Sequence, residues 1–187
     1  SEFTKQDLVS TFAVRKEKVT VIYNGIDDTS FRKQRAKDID SFRRQFHLPK
    51  EYLFTVGIGK AHKNFPFLLS SLEEIWSDKK LKLPLVIGGI GKEIPFELLE
   101  FQKRFPNKIF FLSHVPYSKL PLAYAGAKIF LYASLYEGFG FPILEAQATE
   151  TPFLSSNVSV MTEILEDTAE YFDPRNKTEF QERLLNL

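Results

Sequence analysis

YLFTVGIGKAHKNFPFLLSSLEEIWSDKKLKLPLVIGG, residues 52–89, decides the fold. YLFTVG (52–57) is an apolar run that ends on glycine. NFPFLLSSLEEIW (64–76) has helical spacing, with Asn64 as candidate N-cap and Pro66 in the first turn. LPLVIGG (83–89) is a second apolar run ending on glycine. Runs without polar alternation are strands buried on both faces, and a helix between two of them makes a parallel crossover.

The alternation continues toward the C-terminus. PFELLEFQKRF (95–105) predicts a helix, KIFFLS (108–113) a strand, SKLPLAYAGA (118–127) a helix and KIFLYAS (128–134) a strand. Then come a helix at 141–150, a short strand at 152–156, a helix at 159–166, a strand at 170–174 and a closing helix. Right-handed crossovers turn this order into an α/β, doubly wound parallel sheet of Rossmann type, assigned to residues 49–187. Residues 1–48 read as a lead-in. Thr4-Lys5-Gln6-Asp7 looks like a capping box opening a helix through Phe12. VTVIY (19–23) reads as a strand, residues 24–38 as a linker, and 39–46 as a short helix. In such sheets ligands bind where the strands run out, here at loops 57–64, 88–94, 113–118, 134–142 and 156–160.

Composition narrows the function. The chain has 187 residues, 43% hydrophobic and 26% charged, with nineteen Phe, an ordinary globular mix with a bulky core. A net charge of +1 provides no basic stripe for nucleic acid. Without cysteine there is no disulfide, thiolate nucleophile or Cys-zinc site, and the chain fits a reducing, cytoplasmic setting. No apolar run is long enough to span a membrane. A first residue other than Met reads as a piece of a longer protein.

Several phosphate signatures fail on named residues. A Walker loop ending at Gly91-Lys92 meets Val86 and Glu93 where Gly and Ser or Thr are needed. Dinucleotide fingerprints starting at Gly57 or Gly89 meet His62 or Ile94 in place of the third glycine. Asp38-Ile39-Asp40 lies in a charged linker, where helix capping accounts for it. His47, His62 and His114 are not at ligand spacing, so no metal site is expected.

YEGFGFPILEA (136–146) remains, with Glu137 and Glu145 eight residues apart. Taken alone, Glu145 is explained as acid in a helix's first turn, favoured by the macrodipole by about 0.3–1 kcal/mol. Gly138 and Gly140 are then turn residues. Taken together, the same residues make a ligand site. Bare backbone N–H groups approach the ligand at the glycines, and Pro142 starts a helix whose free donors face the loop. A carboxylate at Glu145 suits a vicinal diol such as ribose. Glu137, at a strand end, would face the sugar or the positive charge developing at its anomeric carbon. Lys63, on a neighbouring loop, would complete a diphosphate clamp.

EGFGFPILEA resembles the E-x7-E signature of retaining GT-B glycosyltransferases, glycosyltransferase family 4. VGIGKAHKN (56–64) is similar to that family's strand-end loop. SEFTKQDL and VTVIYNGID resemble the approach to its second domain. HVPYSKLPLAYAGAKIFLYASLYEGFG (114–140) and SSNVSVMTEILEDTAEYFDP (155–174) continue the likeness in order. The resemblance implies the C-terminal, donor-binding half of a two-domain enzyme, its N-terminal acceptor half lying outside this chain. It implies a nucleotide-diphosphate sugar as donor, no metal or other cofactor, and transfer that retains anomeric configuration. Mannose and bacterial cell-surface polysaccharide follow from the H-K-N variant. The acceptor, a glycan or lipid-linked sugar, and any contact with the inner face of the membrane would belong to the other half. This chain alone is then expected to bind donor without efficient transfer. By position, Glu137 is the expected catalytic residue and Glu145 the ribose ligand. Gly57, Gly138, Phe139, Gly140 and Phe141 would line the sugar and diphosphate, Lys63 would neutralise it, and Ser113, His114 and Val115 would meet the base. Ile58 stands where many relatives carry Arg, so Lys60 or His62 is expected to supply the missing cation. A non-catalytic module that binds nucleotide sugars and a sugar-nucleotide epimerase are the alternatives. The latter's acid and His placements are not found.

Overall fold

The computed structural model describes residues 1–57, 59–91 and 93–187. Ile58, the position of the family's Arg, and Lys92, the lysine of the Walker comparison, lie outside the described residues.

Six strands form one parallel sheet: β1 (Leu53–Val56), β2 (Leu85–Ile90), β3 (Ile109–Ser113), β4 (Ile129–Tyr132), β5 (Phe153–Ser156) and β6 (Glu170–Phe172). Their order is β3-β2-β1-β4-β5-β6. Phe54 of β1 pairs with Val86 of β2 on one side and Phe130 of β4 on the other. Chain direction across the sheet therefore reverses between β1 and β4. In doubly wound sheets this switch point is where ligands bind.

Alternate strand residues point to opposite faces, so each strand contributes to two apolar layers. Leu53, Leu85, Ile87 and Leu131 pack with α3 (Phe65–Ser77), α4 (Phe96–Arg104) and α8 (Lys177–Asn186). Phe54, Val86, Phe130 and Tyr132 pack with α2 (Ala36–Gln45), α5 (Leu120–Ala125), α6 (Phe141–Ala148) and α7 (Met161–Leu165). The aromatic content concentrates in this second layer. Tyr124 meets Phe54 and Phe130 edge-on, each at 5.1 Å between ring centroids.

The lead-in differs from its sequence reading in three places. Residues 19–23 join no sheet among the described residues. Val19 and Val21 are half-buried and Thr20 and Ile22 exposed, so the alternation of a strand is present without a partner. The first helix, α1 (Glu2–Phe12), begins two residues before Thr4. Its N-cap is Ser1, whose hydroxyl accepts from the Thr4 N–H. α2 starts at Ala36, so Asp38 sits in its first turn, paired with Arg35 at 2.6 Å, and does not cap it. Asn64 holds the N-cap position of α3 as expected, but its side chain does not cap. Asn64 has φ +57°, which turns its side chain away from the helix amides, and its amide donates instead to the Pro174 carbonyl. No helix among the described residues is long and apolar enough to cross a membrane.

Candidate functional site

The switch point between β1 and β4 gathers charged groups. β1 ends in Gly57, with φ +91°. A Cβ there would stand 3.0 Å from Lys63 Cε, so the missing side chain lets the lysine stem lie across the backbone. The Leu135 N–H donates to the His62 carbonyl at 2.7 Å and ties the loop after β4 to the loop after β1. Lys63 Nζ then donates to Glu137 Oε1 at 2.7 Å and to the Tyr132 hydroxyl at 2.9 Å. It also stands 4.7 Å from the Tyr132 ring centroid. The two side chains of this ion pair are only 11% and 13% exposed, for Lys63 and Glu137 respectively.

Burial pushes the Glu137 carboxyl up, but the Lys63 ammonium and neighbouring hydroxyls together more than offset it and leave the group below the usual carboxylate range. Glu137 is therefore an anion at neutral pH. Its backbone N–H is held by Ser159 Oγ at 3.1 Å. Tyr132 is raised, first by burial and then by the neighbouring Glu137 charge, so its phenol stays neutral. Ser134, next along the same chain segment, buries its hydroxyl without a hydrogen-bond partner.

Glu145 sits behind this pair. It is the fifth residue of α6, and no acid occupies that helix's first turn. The macrodipole explanation thus fails, because the effect fades beyond the first turn. Instead Glu145 is 9% exposed, and its Oε2 accepts from the Tyr124 hydroxyl at 2.6 Å. Burial raises its carboxyl above the usual range, and the Tyr124 hydrogen bond only partly counters this. Tyr132 lies within the field of both Glu137 and Glu145. Tyr132, bonded to Lys63, and Tyr124, bonded to Glu145, both pack on Phe130, so one aromatic cluster links the two sites.

Gly140 caps α6 with φ +95°, and its Cα rests on Met161. A Cβ there would come within 2.6 Å of Met161 Cε. Left-handed strain alone costs about 1–3 kcal/mol for a non-glycine residue. Gly140→Ala is therefore expected to lower the unfolding free energy by about that amount, read from urea midpoints. Phe139 and Phe141 flank this glycine and meet edge-on at 5.2 Å.

The remaining residues fall on either side. His114 and Val115 line a cavity of about 420 Å³ with Gly88, Gly89, Ile90 and Leu120, beyond the ends of β2 and β3. Ser113 is exposed at the end of β3, beside that cavity. Lys60 is exposed and His62 half-buried; what His62 contributes to the site is its carbonyl. Sequence reasoning missed Tyr124, Tyr132 and Ser159. Tyr132 carried a usable signal, a hydroxyl at the last position of an otherwise apolar strand. Tyr124 carried none, since it reaches Glu145 from a different helix.

Comparison with known proteins gives the family and the fold. Residues 36–187 match the family described as Glycosyl transferases group 1. The O-antigen chain mannosyltransferase RfbU of Salmonella typhimurium is 28% identical over 98% of this chain and 48% of its own length. O-antigen chain mannosyltransferase B of Escherichia coli is 26% identical over 94% of this chain and 47% of its own length. This chain thus spans about half the length of these relatives. Anabaena Alr3699/HepE, solved in complex with UDP-glucose, superposes with a TM-score of 0.82 over the whole of this chain and 51% of its own, at 20% identity. That likeness concerns the fold. From the match over residues 36–187, the chain belongs to the group 1 glycosyl transferases.

Proposed function

We propose that this chain is the donor-binding half of a retaining, family 4 glycosyltransferase. It would move a sugar, mannose on the strength of the O-antigen relatives, from a nucleotide-diphosphate sugar to a glycan or lipid-linked acceptor. The observation that carries the reading is the buried Lys63–Glu137 pair at the switch point between β1 and β4.

Each group has a task in this reading. Lys63 turns from Glu137 to the diphosphate, where a buried ammonium is worth more than in water. The amides of the Gly138–Phe141 segment and the first turn of α6 take the remaining phosphate charge. Lys63 supplies the cation for the leaving group, so no divalent metal is part of the scheme. Glu145 accepts from the ribose diol, and the cavity at His114 and Val115 takes the base. Glu137, released from Lys63, faces the sugar and stabilises the positive charge that develops at its anomeric carbon. The bond from that carbon to the diphosphate oxygen breaks as the acceptor oxygen bonds on the same face. The acceptor proton passes to the departing phosphate oxygen, and configuration is retained. The acceptor would be held by the half of the protein outside this chain, so this half alone binds donor without efficient turnover.

Thermal unfolding with GDP, UDP, GDP-mannose and UDP-glucose tests this. A ligand at 100 times its Kd stabilises by about 2.7 kcal/mol. One nucleotide pair is expected to raise the Tm and the other to leave it unchanged. No shift with any nucleoside diphosphate or its sugar would overturn the reading. Binding without transfer, once the acceptor half is present, would point to a non-catalytic module.

A further inference from the structure

α1 buries none of its residues, yet polar bonds hold it at several points. The Glu163 carboxylate of α7 accepts from the Glu2 N–H at 2.7 Å, the Phe3 N–H at 2.8 Å and the Tyr23 hydroxyl at 2.7 Å. Partial burial pushes Glu163 up, but these donors outweigh it and keep the carboxyl below its usual range. From α1 in turn, the Ser1 and Thr4 hydroxyls donate to the Gly138 carbonyl at 3.1 and 3.2 Å. Asp7 accepts from the Tyr136 hydroxyl at 2.8 Å, and Phe3 meets the Tyr136 ring edge-on at 5.6 Å.

Tyr136 and Gly138 are the two neighbours of Glu137. The α7 region also touches this loop directly, through Ser159 on the Glu137 N–H and Met161 beneath Gly140. A helix that fully buries no side chain and rests only Phe3 against the core adds little hydrophobic stability. What its bonds do is fix the backbone on both sides of one carboxylate. We propose that α1 is a positioning element for the glycine loop: Thr4 and Asp7 hold Gly138 and Tyr136, Glu163 holds α1, and together they set the aim of Glu137 at the donor sugar. This rests on the donor reading above.

The test compares affinities for a sugar nucleotide and for its nucleoside diphosphate, by calorimetry on this chain. The pair used is GDP-mannose with GDP or UDP-glucose with UDP, whichever the unmodified chain binds. The variants are Thr4→Val combined with Asp7→Ala, Thr4→Ser alone, and Ser10→Ala as control, since Ser10 bonds only within α1. The double variant is expected to weaken the sugar nucleotide three- to tenfold and the diphosphate less than twofold. Thr4→Ser, which keeps the hydroxyl, and Ser10→Ala should match the unmodified chain. If both ligands weaken equally, α1 acts on the fold as a whole and the proposal fails. If neither weakens, α1 is only packed against the loop and it fails again. If the unmodified chain binds neither pair, the donor reading itself is lost and this inference goes with it.

Discussion

Lys63→Met is expected to cost about 3–5 kcal/mol of unfolding free energy at pH 7, the usual penalty for removing one partner of a buried ion pair. Methionine keeps the stem that lies across Gly57, so the loss is electrostatic. Glu137, 13% exposed, keeps its charge and loses its strongest donor. A domain of this size is stable by only about 5–15 kcal/mol, so the variant is marginal. The pH dependence identifies the cause. In the unmodified chain the Glu137 carboxyl lies below its usual range. Its contribution is therefore present above the unfolded-state carboxyl pKa and is lost as pH falls through the lower, folded value. Without the ammonium, only neighbouring hydroxyls oppose burial, and the folded carboxyl is expected to rise above the unfolded one. The penalty is then small at acid pH and grows as pH rises. Urea unfolding should show a large deficit at pH 7 that shrinks toward pH 4, and Glu137→Gln added to Lys63→Met should recover most of it. An equal deficit at both pH values would mean that the lysine acts through packing. Diphosphate affinity, by contrast, should stay lost in the double variant, because the cation is still missing.

The alternation of strands and helices from residue 52 onward was legible because each element answers to a local rule. A strand buried on both faces reads as an unbroken apolar run, and Pro66, Pro121 and Pro142 mark helix starts. The order of strands is not local. β4 pairs with β1 because the chain crosses back over the sheet, and that crossing puts Lys63 against Glu137, 74 residues apart. Residues 19–23 show the reverse case. Their β-branched alternation is that of a strand, but strand pairing needs a neighbour with free backbone groups, and this segment finds none among the described residues. Instead Tyr23 sends its hydroxyl to Glu163. Asn64 misled for a related reason. Its type suits a cap, but a left-handed backbone aims the amide at Pro174. The glutamates were visible as a motif. Their supports, Tyr124 for one and Tyr132 with Lys63 for the other, became visible only in three dimensions.

Glu145→Gln should separate stability from ligand binding in the opposite sense. The carboxyl is 9% exposed and raised by burial, with one hydrogen bond, from Tyr124. A raised folded pKa means that its stabilising contribution is complete below the unfolded value and lost as pH rises through the folded one. At pH 7 the fold therefore carries a buried charge that it would be more stable without. Glutamine keeps an oxygen to accept from Tyr124 and removes the charge, so the variant should equal or exceed the unmodified chain in urea at pH 7. The difference should vanish at low pH, where Glu145 is already protonated. Donor affinity should move the other way. A carboxylate bonded to Tyr124 still has lone pairs for two ribose hydroxyls, whereas the amide has one oxygen, with a single lone pair left beside the Tyr124 bond. Hydrogen bonds to a charged group contribute about 1.5–3 kcal/mol each, so losing one or both weakens donor about 10- to 10⁴-fold. A retained charge that lowers stability and raises affinity is the mark of a group kept for its ligand. Loss of stability with unchanged affinity would make Glu145 a partner of Tyr124 in the core, and the ribose would need another acceptor.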